Sequence, residues 1–291
     1  MDKLRSWISE VRRQRLVFTL VVLVTLGLFG FIGAVLFLPD LVGRLVGPTA
    51  ATHAGQHFRS LGHRIHDLTF SFLFGTAIVG LLAQLRTPSK NVAGQLMALI
   101  PWVGLVLVIP LTNYWVPRGT AFQIVATAIF GGLTLSATMF HPTGRDLFSS
   151  FSVSRMNRVM LALVIIAAVP LLAFASTNVG LQKTGTGGTE HFDLGHYGFM
   201  AAFSFTVIGV GLLASLRPDG WRLTAWVAGL LPALLGFASL VYPDVDSSLS
   251  LVWALAAIAW GVGFVAAAEI ARGSEGTLLD SRGVVSKSEW G

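Results

Sequence analysis

Leu68-Thr69-Phe70-Ser71-Phe72-Leu73-Phe74-Gly75-Thr76-Ala77-Ile78-Val79-Gly80-Leu81-Leu82-Ala83-Gln84-Leu85-Arg86 is the stretch on which the fold turns. It carries no charge from Leu68 to Leu85 and stops on Arg86. That is close to the roughly 20 apolar residues a membrane-spanning helix needs. Much of the stretch recurs. Phe70-Ser71-Phe72 returns as Phe203-Ser204-Phe205, and Gly80-Leu81-Leu82-Ala83-Gln84-Leu85-Arg86 as Gly211-Leu212-Leu213-Ala214-Ser215-Leu216-Arg217. Pro88 and Pro218 follow the two copies. Upstream, His57-Phe58-Arg59-Ser60-Leu61-Gly62-His63 is similar to His191-Phe192-Asp193-Leu194-Gly195-His196, one residue shorter. Downstream, Pro101 precedes Pro232 by 131 residues, the offset that also separates Gly80 from Gly211. Ordered matches that include polar residues and prolines indicate an internal duplication, not merely shared apolar composition.

The rest of the 291-residue chain suits that reading. It is 54% hydrophobic and 12% charged, against about 25% charged in a soluble domain, and its mean hydropathy is +0.72. This excludes a disordered chain and a water-soluble globule. Eight windows have spanning character: Leu16–Leu38, Leu68–Leu85, Val92–Tyr114, Thr120–Phe140, Val159–Ser176, Tyr197–Leu216, Leu223–Tyr242 and Leu249–Ala271. The expected fold is therefore all-α and polytopic, with eight transmembrane helices arranged as two parallel four-helix repeats. Residues 16–140 form the first repeat and 159–271 the second, joined by a cytoplasmic linker over 141–158. Residues 1–15 read as a cytoplasmic amphipathic segment, either an interfacial helix or a simple basic flank. Residues 272–291 read as a mobile cytoplasmic tail. The first span is too long for a signal-peptide core and no small-residue cleavage site follows it.

Orientation follows from the basic residues. With the N-terminus inside, 15 Lys and Arg fall on the inner face and 5 on the outer. A multi-pass protein of the cell membrane with both termini cytoplasmic is expected. The pI near 10.3 is then an inner-face excess, and no nucleic-acid partner is expected. The expected partners are the lipid bilayer and either another membrane protein or a second copy of the chain.

With no cysteine, thiolate metal sites, disulfides and cysteine nucleophiles are excluded. Six of the seven histidines fall in the outer loops before spans 2 and 6: His53, His57, His63, His66, His191 and His196. Imidazole ligates copper, iron, zinc and haem. The two matched clusters therefore suggest a metal or haem site at the outer mouth. Structural hydrogen bonding and proton handling are the alternatives. His57, His63, His66, His191 and His196 are the candidate metal ligands, with His63 and His196 as first candidates for a cofactor. Glu190, Asp193 and Asp67 are nearby carboxylates that could ligate or orient. His141, alone on the inner side, reads as a helix-end residue.

This layout resembles haem A synthase, a family with eight spans in two tandem four-helix bundles. Gly62-His63-Arg64 is similar to the end of its Glu-x-x-His-Arg segment, and His196 stands at the matching start of span 6. The resemblance implies haem ligation by His63 and His196. The starts of spans 4 and 8 carry Thr120, Gln123, Ser248 and Trp253 where that family has histidines, and Ser60 replaces its acidic residue.

The leading expectation is an integral membrane protein whose histidine-lined extracytoplasmic site binds haem or a transition metal, copper or iron, for electron transfer or cofactor handling. One alternative is a carrier of a small neutral or lipid-like solute that uses the kinks at Pro101 and Pro232. Another is a non-catalytic subunit of a membrane complex. Glu269 is expected to pair with Arg272, and Gly131, Gly132, Gly261 and Gly263 to allow close helix packing. Lys183-Thr184-Gly185-Thr186-Gly187-Gly188 reads as a connector, not a phosphate loop.

Overall fold

The computed structural model describes residues 2–37, 61–112, 124–186 and 189–288, and these residues are helical with no strand. The elements are α1 (Asp2–Phe37), α2 (Arg64–Leu82), α3 (Val92–Leu111), α4 (Ile124–Met139), α5 (Arg158–Thr184), the short α6 (Thr189–Asp193), α7 (His196–Leu216), α8 (Trp221–Val241) and α9 (Leu251–Ser288). Among the described residues, seven of these hold segments long and apolar enough to cross a membrane; the expected fourth span, Thr120–Phe140, is described only from Ile124, and the part described, α4, is apolar. Helices dominate because backbone N–H and C=O groups in hydrocarbon must be satisfied within the segment.

Central α7 and α3 are the most enclosed spans. They approach closely at Gly104, where an added Cβ would lie 2.9 Å from the Ala202 carbonyl oxygen. Within the first four helices the core is aromatic. Phe29 stacks on Phe130 at 4.7 Å and on Trp102 at 5.9 Å, and meets Phe74 edge-on at 5.4 Å. The second core cluster brings Met160, Val210, Trp221 and Phe264 together from α5, α7, α8 and α9. Outward residues such as Val169 and Val252 are 73% exposed, which suits a lipid bilayer.

The end of the bundle that carries Arg86 and Arg217 is tied by loop contacts. The Ala93 amide donates to the Asp219 carbonyl at 2.9 Å, and the Asn157 amide to the Ser215 carbonyl at 2.8 Å. The Asn157 side chain also caps α5 by accepting from the Met160 amide at 2.9 Å. Gly220, at φ +84°, packs against Asn91 so closely that a Cβ would fall 2.8 Å from its Cα. A side chain there would be strained and would also clash.

Several expectations change. Glu269 takes Arg222 as its main partner, in a two-pronged pair at 2.7 and 3.0 Å, and accepts from the Trp226 indole at 2.7 Å. Arg272 stands farther off at 3.7 Å. A planar guanidinium on the neighbouring helix matches a carboxylate better than a side chain three residues along the same helix. α9 continues in helical form to Ser288, past the expected span end at Ala271. α5 runs on to Thr184, eight residues past the expected span end. Its last turn thus takes in Lys183, and Gly185 ends it in the left-handed conformation at φ +66°. α1 is one continuous helix from Asp2 into the first span.

Candidate metal centre

The Gly-His pairs found in the sequence open two helices at the same end of the bundle. Leu61–His63 forms one 3-10 turn that delivers His63 to the start of α2, and His66 lies in the first turn of α2. On the other side, Gly195 at φ +73° turns the chain between α6 and α7. This left-handed residue lets His191 on α6 and His196 at the head of α7 face the same space. Gln182, buried near the end of α5, fixes that turn. Its Nε2 donates to the Phe192 carbonyl at 2.9 Å, and its Oε1 accepts from the Gly198 amide at 3.3 Å.

The structure brings four of the five candidate ligands together. Ring centroids are 4.4 Å apart for His63 and His191, 5.3 Å for His63 and His196, and 4.4 Å for His66 and His191. His63, His191 and His196 each offer a ligand nitrogen within 4.8 Å of the other two. His63, His66 and His191 are buried, and His196 is half-buried. His57 and His53 lie outside the described residues. Of the carboxylates, Asp193 is exposed and Asp67 is buried.

Residues that sequence reasoning did not select complete the surroundings. Asp246, in the loop between α8 and α9, places Oδ2 3.3 Å from His191 Nδ1 and accepts a hydrogen bond from the Tyr197 hydroxyl. Ser247 Oγ lies 3.1 Å from His66 Nε2 and donates to Asn178 Oδ1 at 3.2 Å. The available signal was the acidic pair Asp244 and Asp246 in the loop between α8 and α9.

The chain matches no protein-family model, no curated protein and no solved structure. Its site is therefore read from its own donor set. Three neutral imidazoles suit zinc, copper, iron or nickel. A carboxylate against one ring nitrogen of a histidine fixes that nitrogen as the N–H and turns the other toward a metal. Asp246 stands in that position on His191.

The same four rings can act without a metal, as a buried hydrogen-bonding cluster joining three segments. The ligand spacing is compatible with a metal. At metal–nitrogen bonds of about 2.0–2.1 Å, tetrahedral ligand nitrogens sit roughly 3.4 Å apart. A cluster within 4.8 Å needs a contraction of about 1.4 Å at most to reach that spacing.

Proposed function

We propose that the protein is an integral membrane protein whose extracytoplasmic histidine site binds one transition-metal ion, copper or iron, for electron transfer or cofactor handling. The convergence of His63, His191 and His196 from separate segments to within 4.8 Å carries the reading. His63, His191 and His196 would hold the ion, with Asp246 orienting His191 and Ser247 holding His66 alongside. Bound copper or iron would supply one-electron redox chemistry, which zinc does not. The protein's own part is to fix ring orientation and limit water: three of the four rings are buried.

A bare ion suits the cluster better than haem. Two axial imidazoles grip a porphyrin from opposite faces, with nitrogens about 4 Å apart and the macrocycle between them. Here His63 meets His196 edge-to-face at 5.3 Å, with His191 4.4 and 5.5 Å from them. A macrocycle would displace His191 and His66. The resemblance to haem A synthase thus bears on topology and on the placing of His63 and His196 more than on haem itself.

The wider architecture belongs to the same proposal: eight spans, α4 being the fourth, as two parallel four-helix repeats with both termini cytoplasmic. Supporting it, α2 and α7 each open on a histidine and end near an arginine, and each packs on the helix that follows. The excess of basic residues at the other end favours a cytoplasmic arginine end.

Metal analysis and visible absorption of the purified protein test the function. About one copper or iron per chain is expected, lost on His63→Ala, His191→Ala or His196→Ala and kept in His141→Ala. Protein that holds no metal after supply of copper and of iron, with all four histidines intact, overturns the reading. A Soret band lost with His63 and His196 replaces the bare ion by haem.

A further inference from the structure

Helices α5, α7, α8 and α9 line an apolar cavity of about 500 Å3 that is partly open to the outside of the bundle. Two hydrogen bonds bracket it. At the arginine side the Trp260 indole of α9 donates to the Leu163 carbonyl of α5 at 2.9 Å. At the histidine side Ser247, in the loop before α9, donates to Asn178 of α5 at 3.2 Å. Between these ties the cavity parts the two helices, with Pro170 and Thr177 lining it from α5 and Trp253 and Ala257 from α9. Phe203 and Pro232 form part of its back wall. In the first four helices Phe29, Phe74, Trp102 and Phe130 stack through the centre instead.

What belongs in the cavity follows from its walls. A buried water needs two to four polar partners. Thr177 is the one hydroxyl on the lining, and it already donates to the Ala173 carbonyl at 3.1 Å. An apolar guest gains from burial at this site, and the volume lies in the range of about 300–1,000 Å3 typical of small-molecule sites. The supply is the bilayer itself, since outward residues of the two flanking helices, such as Val169 and Val252, are 73% exposed. The histidine end of the cavity is bounded by Thr177 of α5 and Leu249, just before α9. Beyond it, Asn178 and Ser247 join each other and Ser247 faces His66. Asp244 and Asp246 are exposed on the same loop and repel an anionic headgroup.

We infer that this cavity binds a neutral single-chain amphiphile from the bilayer, of the long-chain alcohol or monoacylglycerol class. Its chain lies between α5 and α9, and its head lies at the histidine end, beside Thr177 and the loop that leads into Leu249. The inference goes beyond the metal reading and does not depend on it.

The test is photolabelling of the full chain in phosphatidylcholine nanodiscs with a diazirine-bearing monoacylglycerol. Labelling is expected to saturate and to map to residues 166–177 and 249–260. Unlabelled monoolein should compete at least about tenfold better than ionised oleate. Ala257→Phe should cut labelling at least about fivefold by filling the space, whereas Ala162→Phe, on the exposed side of α5, should not. Competition on the unaltered protein needs no variant to fold, and thermal unfolding of each variant monitors its integrity. Unsaturable label spread over the exposed faces of α1 and α3 overturns the proposal. So does equal competition by oleate, or undiminished label in folded Ala257→Phe.

Discussion

His191 is pulled two ways, and that position defines the chemistry of the site. Asp246 faces its Nδ1, and its ring packs on His63 and His66. Asp246→Asn is therefore expected to lower metal affinity by about 10–100-fold while leaving the fold intact, read by competition with a metal chelator. His141 makes a different point. It is buried at the far end of α4, with Nε2 3.3 Å from Gln84 Oε1 and Nδ1 2.7 Å from Thr143 Oγ1. Burial pushes its pKa down to about 4, against the opposing pull of a hydrogen bond to the Pro88 carbonyl. The unfolded chain takes up that proton nearer pH 6.5, so between about 6.5 and 4 unfolding binds a proton. Stability from this group is full above that window and falls as pH drops through it. His141→Gln should flatten the pH dependence of thermal unfolding there. At this scale the histidines were legible because His57-Phe58 and Gly62-His63 resemble His191-Phe192 and Gly195-His196 in the sequence. Asp246, Ser247 and Asn178 were not, because single polar residues far apart in sequence reach the site only through packing of α5 and the α8–α9 loop.

Helices were legible because each carries its own apolar run; their packing was only partly so. Of four glycines read as packing positions, Gly261 nests against α8, and Gly131 meets the Trp102 side chain at 3.2 Å, while Gly132 and Gly263 face open space. Composition marks a small residue but not which way it faces. Gly229 is the position to test. A Cβ there would come within 2.6 Å of the Gly261 carbonyl oxygen and of Val265. Gly229→Val is expected to destabilise by about 1–3 kcal/mol or more, and Gly263→Ala to be neutral or slightly stabilising, read as shifts in thermal midpoint. The duplication also carries a geometric limit. Phe70 to Phe203 is an offset of 133 residues and Gly80 to Gly211 one of 131. Two residues turn a helix by about 200°, so both motifs cannot keep equivalent faces. The contacts agree: Gly80 packs on Gly94 and Ala98 of α3, whereas Gly211 packs on Val164 of α5.

For the molecule as a whole, the sparse charges set the expected orientation, and the absence of cysteine makes it simple to test. A Ser250→Cys protein should react with a membrane-impermeant maleimide on intact cells, and Ser149→Cys only after lysis; the reverse pattern inverts the orientation. Helical content and spanning character were legible because a bilayer permits few alternatives. The cavity between α5 and α9 was not, because its existence depends on where Trp260 finds its carbonyl. The loop contact at Gly220 and Asn91 joins the helices of the two sides at the arginine end, and Gly104 of α3 meets Ala202 of α7 along their length. The seam across which His63 meets His191 and His196 is thus sutured at more than one level. The spacing of the rings is set by the packing of the whole bundle, so a substitution at Gly220 or Gly104 is felt at the histidine end as well.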